Sequence, residues 1–374
     1  MGIFPKDRDL TEVPEEVELV VRASDLRQRI DEVNIRLDAF LQHHLSWRSR
    51  ASIQRLIKEG YVLVDPVSPE LPARPEGGSG RLAETRRSGM RLRHGFRVVV
   101  VMPEELRIPA QRLDHEELSI LYEDDAVLAV DKPPFQPVHP SGRHLTGTLI
   151  QMVHARYRAL GHEVDRKKAP IRLCHRLDRE TSGVILVGKG ERNHSRVMLQ
   201  FENRQVEKEY LAIVRGHPAE DEGLMDLPIG PDRGGEIRLK MAITPKGLPS
   251  QTRWRVLERR IAGAYGPVAL VSCLPKTGRQ HQIRVHMDAL GHPLVGDKLY
   301  GVDPSYFLRG AAGELDAADL RRLGLPRHAL HAHRLAWTCP LTGEPRDVTA
   351  PLAPDLALFL GDVPTTSTPW TRLR

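Results

Sequence analysis

The chain has 374 residues, room for two or three domains of about 150 residues and at least one sizeable core, which excludes a small disulfide scaffold. Hydrophobic residues make up 40% and charged residues 28%, the proportions of a globular chain rather than a disordered one. Lys and Arg (55) exceed Asp and Glu (49), and 44 of those bases are Arg, so the +6 surplus is a guanidinium surplus.

Arg grips phosphate bidentately and stacks on bases, which admits RNA or DNA as a partner. A coding preference for Arg explains the composition equally well. Cys174, Cys273 and Cys339 are odd in number and far apart. They write neither a disulfide framework nor a CxxC metal site, and fit a reducing cytoplasm. The longest apolar runs, such as 98–102 and 184–187, fall far short of the roughly 18 residues of a membrane span. The first ten residues mix charges with no apolar core, so a cytoplasmic chain without an export or anchor signal is expected.

Taken in chain order, residues 1–32 are rich in Asp and Glu with isolated valines and read as a loose or partly paired N-terminal extension. From Ile35, Leu37, Phe40, Leu41 and Leu45 recur at helical spacing, and Ile53, Leu56 and Ile57 repeat it before Gly60. A helical hairpin is expected, followed by strands at 61–65 and near 92–105. Together these make a compact αα-β unit over 33–105, interrupted by a Pro-, Gly- and Arg-rich insertion at 66–90. Between Arg36 and Arg97 twelve basic residues face six acidic ones, and Arg48, Arg50, Arg55 and Lys58 lie on or beside the second helix. On its own such a helix is more often a solvated charged face than a binding site.

Residues 106–117 read as a polar linker. Beyond them short strands and helices alternate: two strands within 119–132, a helix at 146–160, a strand at 184–189, a helix at 192–203 and a strand at 206–215. Further strands are expected at 236–242, 252–258, 268–274 and 332–338, with a helix at 280–290. Strand-to-strand steps without an intervening helix favour α+β with a mixed, mainly antiparallel sheet over a Rossmann winding. No Gly-rich nucleotide fingerprint occurs.

Three clusters could carry chemistry. In the segment 172–183, RLCHRLDRETSG, Asp178 is flanked by Arg176 and Arg179, and nearby positive charge keeps a carboxylate ionised, as a nucleophile or base at a sugar requires. In KTGRQHQIRVH (276–286), Gln280 and Arg284 stand one helical turn apart, as do Ile283 and Met287. Zinc is the rival there, but His281 and His286 are five residues apart and lack an acidic third ligand. In EKEYLAIV (207–214) alternation puts Tyr210, Ala212 and Val214 on one face, where an aromatic ring either packs in a core or holds a flipped base.

Two resemblances follow from these residues. The segments RLDAFL (36–41), Ser49-Arg50, IQRLI (53–57) and GYV (60–62) resemble the small RNA-binding module named after ribosomal protein S-four. Departures are Gly95-Phe96, where the module usually has Gly-Asp, and the length of the insertion. The clusters above, in order with VDKPPFQPVHPSG (130–142), GHPLVGDKLYG (291–301) and HALHAHRLAWTCPLTGEP (328–345), resemble the RluA-type pseudouridine synthase family over about residues 118–352. Phe135 stands where that family more often has Gly.

The resemblance implies that Asp178 acts on the ribose, by attack at the anomeric carbon or by taking a sugar proton. It further implies that Tyr210 stacks on the uracil and can serve proton transfer, that Arg284 pairs with Asp178, that Ile283 packs on the other face of the base, and that Arg176 holds the extruded nucleotide. His175, Arg179, Arg279, His281 and Gln282 join it as substrate-binding candidates, and Arg48, Arg50, Arg55 and Lys58 as RNA contacts. No metal and no cofactor is implied, because the isomerisation has no redox change and no external group. The expected protein is a monomeric cytoplasmic α+β enzyme: an S-four-like module at 33–105, a catalytic domain with a central cleft at 118–355, and a C-terminal tail at 356–374. Its expected partner is large-subunit ribosomal RNA, with transfer RNA as the alternative substrate. A non-catalytic RNA-binding or ribosome-assembly factor on the same fold, or a base-excising glycosylase, are the rival functions.

Overall fold

The computed structural model describes residues 16–26, 28–45, 50–66, 82–101, 118–140, 147–162 and 171–361. They divide into two units, residues 1–117 with 139–172 and residues 118–138 with 173–374. The expected linker at 106–117 lies outside the described residues, as do Arg48 and residues 67–81 of the expected insertion.

The first unit is built around helices Leu37–His44 and Arg50–Lys58, whose Leu37, Phe40, Leu41, Ile53, Leu56 and Ile57 are fully buried. Each such burial contributes about 1.5–3 kcal/mol. These side chains share one core with the strands Val62–Asp65 and Arg97–Val101. Within residues 1–32 the strand Glu16–Val20 pairs antiparallel with Arg97–Val101, and Val17, Leu19 and Val21 enter the core. Their two-residue spacing was legible, but the acidic residues between them masked it. The part of 66–90 that is described also belongs to the unit. Ala83–Glu84 pairs with Leu63–Val64, and the carbonyls of Ser88 and Met90 accept the Asp38 and Leu37 amides that open the first helix.

The second unit carries a mixed sheet. Its strands run in the order Glu222–Asp226, Gln251–Ala262, Gly266–Pro275, Glu207–Arg215, Leu330–Thr338, Ser182–Lys189, Val127–Lys132 and Ser119–Glu123. Neighbours are antiparallel except at the centre, where Ser182 and Gly183 pair parallel with His331 and Ala332. Val184–Val187 and Val127–Val130 are buried throughout, as expected for strands covered on both faces. Gly183 has φ 105°, and a Cβ there would lie 2.2 Å from the Ala332 carbonyl oxygen, so this central pairing closes only around a glycine.

The expected strand at 236–242 is reduced to a three-residue pairing of Met241–Ile243 with Ile229–Pro231. The expected tail begins inside the fold, since helix Pro354–Leu360 buries Leu356, Ala357 and Leu360. Residues 362–374 lie outside the described residues.

Candidate active site

Asp178 lies in the short turn between Leu173 and the central strand Ser182–Lys189. That turn is held by buried ionic groups. Lys132, fully buried, donates its ammonium to the carbonyls of Pro133, Gln136 and Arg179 at 2.7, 3.0 and 3.0 Å. Arg327, equally buried, donates to the Glu180 carbonyl at 3.0 Å and the Ser182 hydroxyl at 3.2 Å, and forks onto Asp355 at 2.7 and 2.9 Å. Thr181 bonds the His328 ring at 2.8 Å, and Glu180 takes the Lys298 ammonium at 2.9 Å. Buried charges are tolerated only with such partners, and together they fix a turn that would otherwise be mobile.

Facing Asp178 is Arg284, on helix Gln282–Ala289. Its Nη1 donates to Asp178 Oδ2 at 3.1 Å, while Nε and Nη2 fork onto the two oxygens of the fully buried Asp297 at 2.7 and 2.8 Å. Asp297 Oδ1 also accepts the amides of Leu299 and Tyr300. Burial would raise the pKa of Asp178, but Arg284, then His281 and His328, outweigh it and hold the carboxyl below its usual range. The Asp178 side chain is 30% exposed and that of Arg284 only 8%, so the carboxylate, not the guanidinium, faces the space beside them.

That space is a cleft of about 500 Å³ including its open mouth, lined by Asp178, Arg284, Tyr210, Ile283 and Leu330, with Arg176, Lys208 and Arg279 around it. Tyr210 stands at an irregularity: the pairing of Glu207–Arg215 with Leu330–Thr338 shifts register between Glu209 and Tyr210, where His333 of the partner strand is skipped. Burial, then the Asp178 charge, raise its pKa, so the phenol stays protonated. Ile283 is buried and shares a core cluster with the Tyr210 ring. Lys208 donates to the Thr277 carbonyl at 3.1 Å, and burial, then Arg204, bring its pKa down to about 8.

With that geometry in view, comparison with known proteins is decisive. The family profile for RNA pseudouridylate synthase matches residues 126–289. An uncharacterised RNA pseudouridine synthase of Bacillus subtilis is 32% identical over 335 residues, 89% of this chain and 95% of the relative. A ribosomal large subunit pseudouridine synthase D of Neisseria meningitidis is 36% identical over 323 residues, 86% of this chain and 76% of the relative. Among solved structures, human RNA pseudouridylate synthase domain containing 1 aligns with a TM-score of 0.50 at 32% identity, covering 67% of this chain and 90% of that one. The chain belongs to the RluA-type RNA pseudouridine synthase family. It is an isomerase that converts uridine to pseudouridine in RNA.

In this synthase the residues singled out from sequence divide into two groups. Asp178, Tyr210, Ile283, Arg284, Arg176, Arg279 and His281 meet at the cleft. His175 does not. Its Nε2 accepts the Leu186 amide at 2.9 Å, its ring stacks on Phe201, and burial, then Lys208, pull its pKa down to about 3, so it is a packing residue. Arg179 lies off the cleft and pairs with Glu180 at 3.5 Å. Gln282 touches the cleft but spends its amide on structure. Its Oε1 accepts from Thr277 and Arg279, and its Nε2 donates to Gln251 and Thr252. His286, half of the zinc alternative, has both ring nitrogens committed, to Thr252 Oγ1 and the Leu227 carbonyl.

Sequence reading missed Asp297, Tyr300, Lys132, Arg327 and Lys208. The first three stand in the GHPLVGDKLYG and VDKPP segments, where an acid or base embedded among glycines, prolines and apolar residues was the available signal. In the first unit, Asp38 is buried. Arg36 forks onto it at 2.9 Å twice, with Arg50 3.6 Å away, and the Arg36 bond foremost lowers its pKa to about 2. Arg50, Arg55 and Lys58 are exposed along their helix, and Arg55 lies 3.9 Å from Glu59.

Proposed function

We propose that this synthase isomerises uridines of large-subunit ribosomal RNA in the cytoplasm, acting as a monomer, with Asp178 working on the ribose and its first unit adding RNA grip. The observation that carries the reading is the carboxylate of Asp178 held ionised at 3.1 Å from Arg284 on the wall of an open cleft that Tyr210 and Ile283 also line. The reaction breaks the bond from uracil N1 to the anomeric carbon, turns the base, joins its C5 to the same carbon, removes the C5 proton and leaves a proton on N1. Nothing is oxidised and no group is added. An ionised carboxylate with a buried guanidinium partner is suited to the ribose step, because its charge acts in a site that a stacked base would dry.

Tyr210 and Ile283 are suited to holding the uracil between them. As a protonated phenol, Tyr210 can pass a proton along its hydroxyl but is no standing base. Extruding a uridine costs a few kcal/mol, which phosphate contacts from exposed bases such as Arg50, Arg55, Lys58 and Arg176 would offset. Support for ribosomal RNA comes from the kinship with synthases named for the ribosomal large subunit. Mapping pseudouridines in ribosomal and transfer RNA from cells lacking the gene tests it. Loss confined to large-subunit ribosomal RNA is expected, and loss confined to transfer RNA would replace it with the second substrate.

A further inference from the structure

Beside the Asp178–Arg284 pair, the cleft wall carries an imidazole whose hydrogen-bond accounting leaves one nitrogen unassigned. Tyr300, nearly fully buried, accepts the Met241 amide at its hydroxyl at 3.0 Å, and the same oxygen lies 3.0 Å from His281 Nδ1. The phenol has one proton to give, and among the described residues His281 Nδ1 is the acceptor within reach. With that proton given to Nδ1, a neutral imidazole carries its own on Nε2. Arg284 Cζ lies 5.1 Å and Lys240 Nζ 6.0 Å from the Tyr300 ring centroid, and burial foremost raises the pKa of the phenol, so it keeps the proton it gives.

His281 Nε2 lies 3.9 Å from Asp178 Oδ2, too far for a hydrogen bond and close enough that both groups face the same ligand atoms. The backbone at His281 has φ 56°, left-handed and costly for a side chain of this size, at the residue that opens helix Gln282–Ala289. That strain persists at the position that turns the ring toward the carboxylate. The amide of Tyr300 is in turn held by Asp297, the carboxylate that clamps Arg284, so one turn sets both groups beside Asp178.

We propose that Tyr300 is a positioning residue that fixes neutral His281 with its Nε2–H toward Asp178, where it donates to a ribose oxygen of the target uridine. This rests on the reading of Asp178 as the group that acts on the ribose. The first test is long-range proton–nitrogen spectroscopy of the full-length protein at pH 7, with His281 assigned through His281→Gln. A neutral ring protonated at Nε2 is expected, shifting to a tautomer mixture in Tyr300→Phe. An Nδ1–H ring or an imidazolium in the unaltered protein overturns the proposal, whether or not any variant folds.

The second test is the single-turnover rate with RNA in excess of its Kd. His281→Ala should slow it by about 10- to 100-fold with RNA affinity within about twofold. His281→Gln, which places an amide N–H near the Nε2 position, should recover most of the loss, and His281→Asn, which reaches only the Nδ1 position, should not. Gln no better than Ala, or Asn better than Gln, overturns the donor role. Turnover by Asp178→Ala would instead defeat the underlying reading of the site while leaving the tautomer result standing.

Discussion

The two units use the same three groups in opposite proportion. In the first, one buried carboxylate, Asp38, faces two guanidiniums, Arg36 and Arg50, whose side chains are 45% and 70% exposed. In the second, one buried guanidinium, Arg284, faces two carboxylates, Asp297 and Asp178, of which only Asp178 reaches the cleft. The first triad leaves a surplus positive charge toward water, where a phosphate can take it. The second leaves a surplus negative charge on a concave wall, where a developing cation on a sugar can take it. In both, the buried members order the exposed ones, and the odd charge out carries the proposed function.

The largest way to break this comparison is to remove the surplus charge in the cleft. Asp178→Asn keeps the shape and the bond to Arg284. It should cut tritium release from RNA labelled at uracil C5 by about 10³-fold or more, with RNA affinity within about twofold. Substantial turnover would sink the assigned role. Next is the buried carboxylate that clamps Arg284. Asp297→Ala leaves Arg284 with half its partners, and losing one side of a buried pair costs about 3–5 kcal/mol. Urea denaturation should show that loss together with a lower rate. Unchanged stability would mean that Asp297 does not hold Arg284 as the geometry indicates.

Much of this was legible in the sequence, for reasons that differ by residue. Asp178 and Arg284 are 106 residues apart, and no local periodicity joins them. They were found because each sits in a motif whose types and spacing are specific. Asp297 and Tyr300 were not, since a carboxylate that only positions another side chain looks like any loop acid until the fold brings its partner to 2.7 Å. His175 and Gln282 meet the same limit from the other side. A polar residue inside a catalytic motif is read as a ligand contact, yet here their hydrogen bonds go to Leu186 and to Thr277, Gln251 and Thr252. The strand Glu16–Val20 could not be placed within the partly paired extension, because alternating Val and Leu among Glu residues resembles an acidic tail unless a partner strand is known.

A smaller effect sharpens the other half of the comparison. Replacing Arg50, Arg55 and Lys58 by Ala removes charges that face water on one helix. If each meets a phosphate, affinity should fall and the slope of log affinity against log salt should flatten by up to about three, with the single-turnover rate at saturating RNA unchanged. An unchanged slope would show that this face does not touch RNA.

The smallest expected effect concerns pH, and its sign follows from which form of each group is needed. Asp178 must be ionised, and its pKa is held below the usual carboxylate range, so no acid loss from it should appear between pH 8 and about 5. Burial, then Arg284, pull His281 down to about 4, so it too stays in one form over that range. Lys208 moves the other way: at about 8 it loses its proton, and its positive charge at the cleft, as pH rises past that value. If that charge attracts the phosphates of the bound nucleotide, KM should rise a few-fold between pH 7.5 and 9 while kcat changes little. Lys208→Arg, which stays charged, should flatten that rise, and Lys208→Met should show the higher KM at every pH. A rise that persists unaltered in Lys208→Arg would assign the alkaline limb to another group.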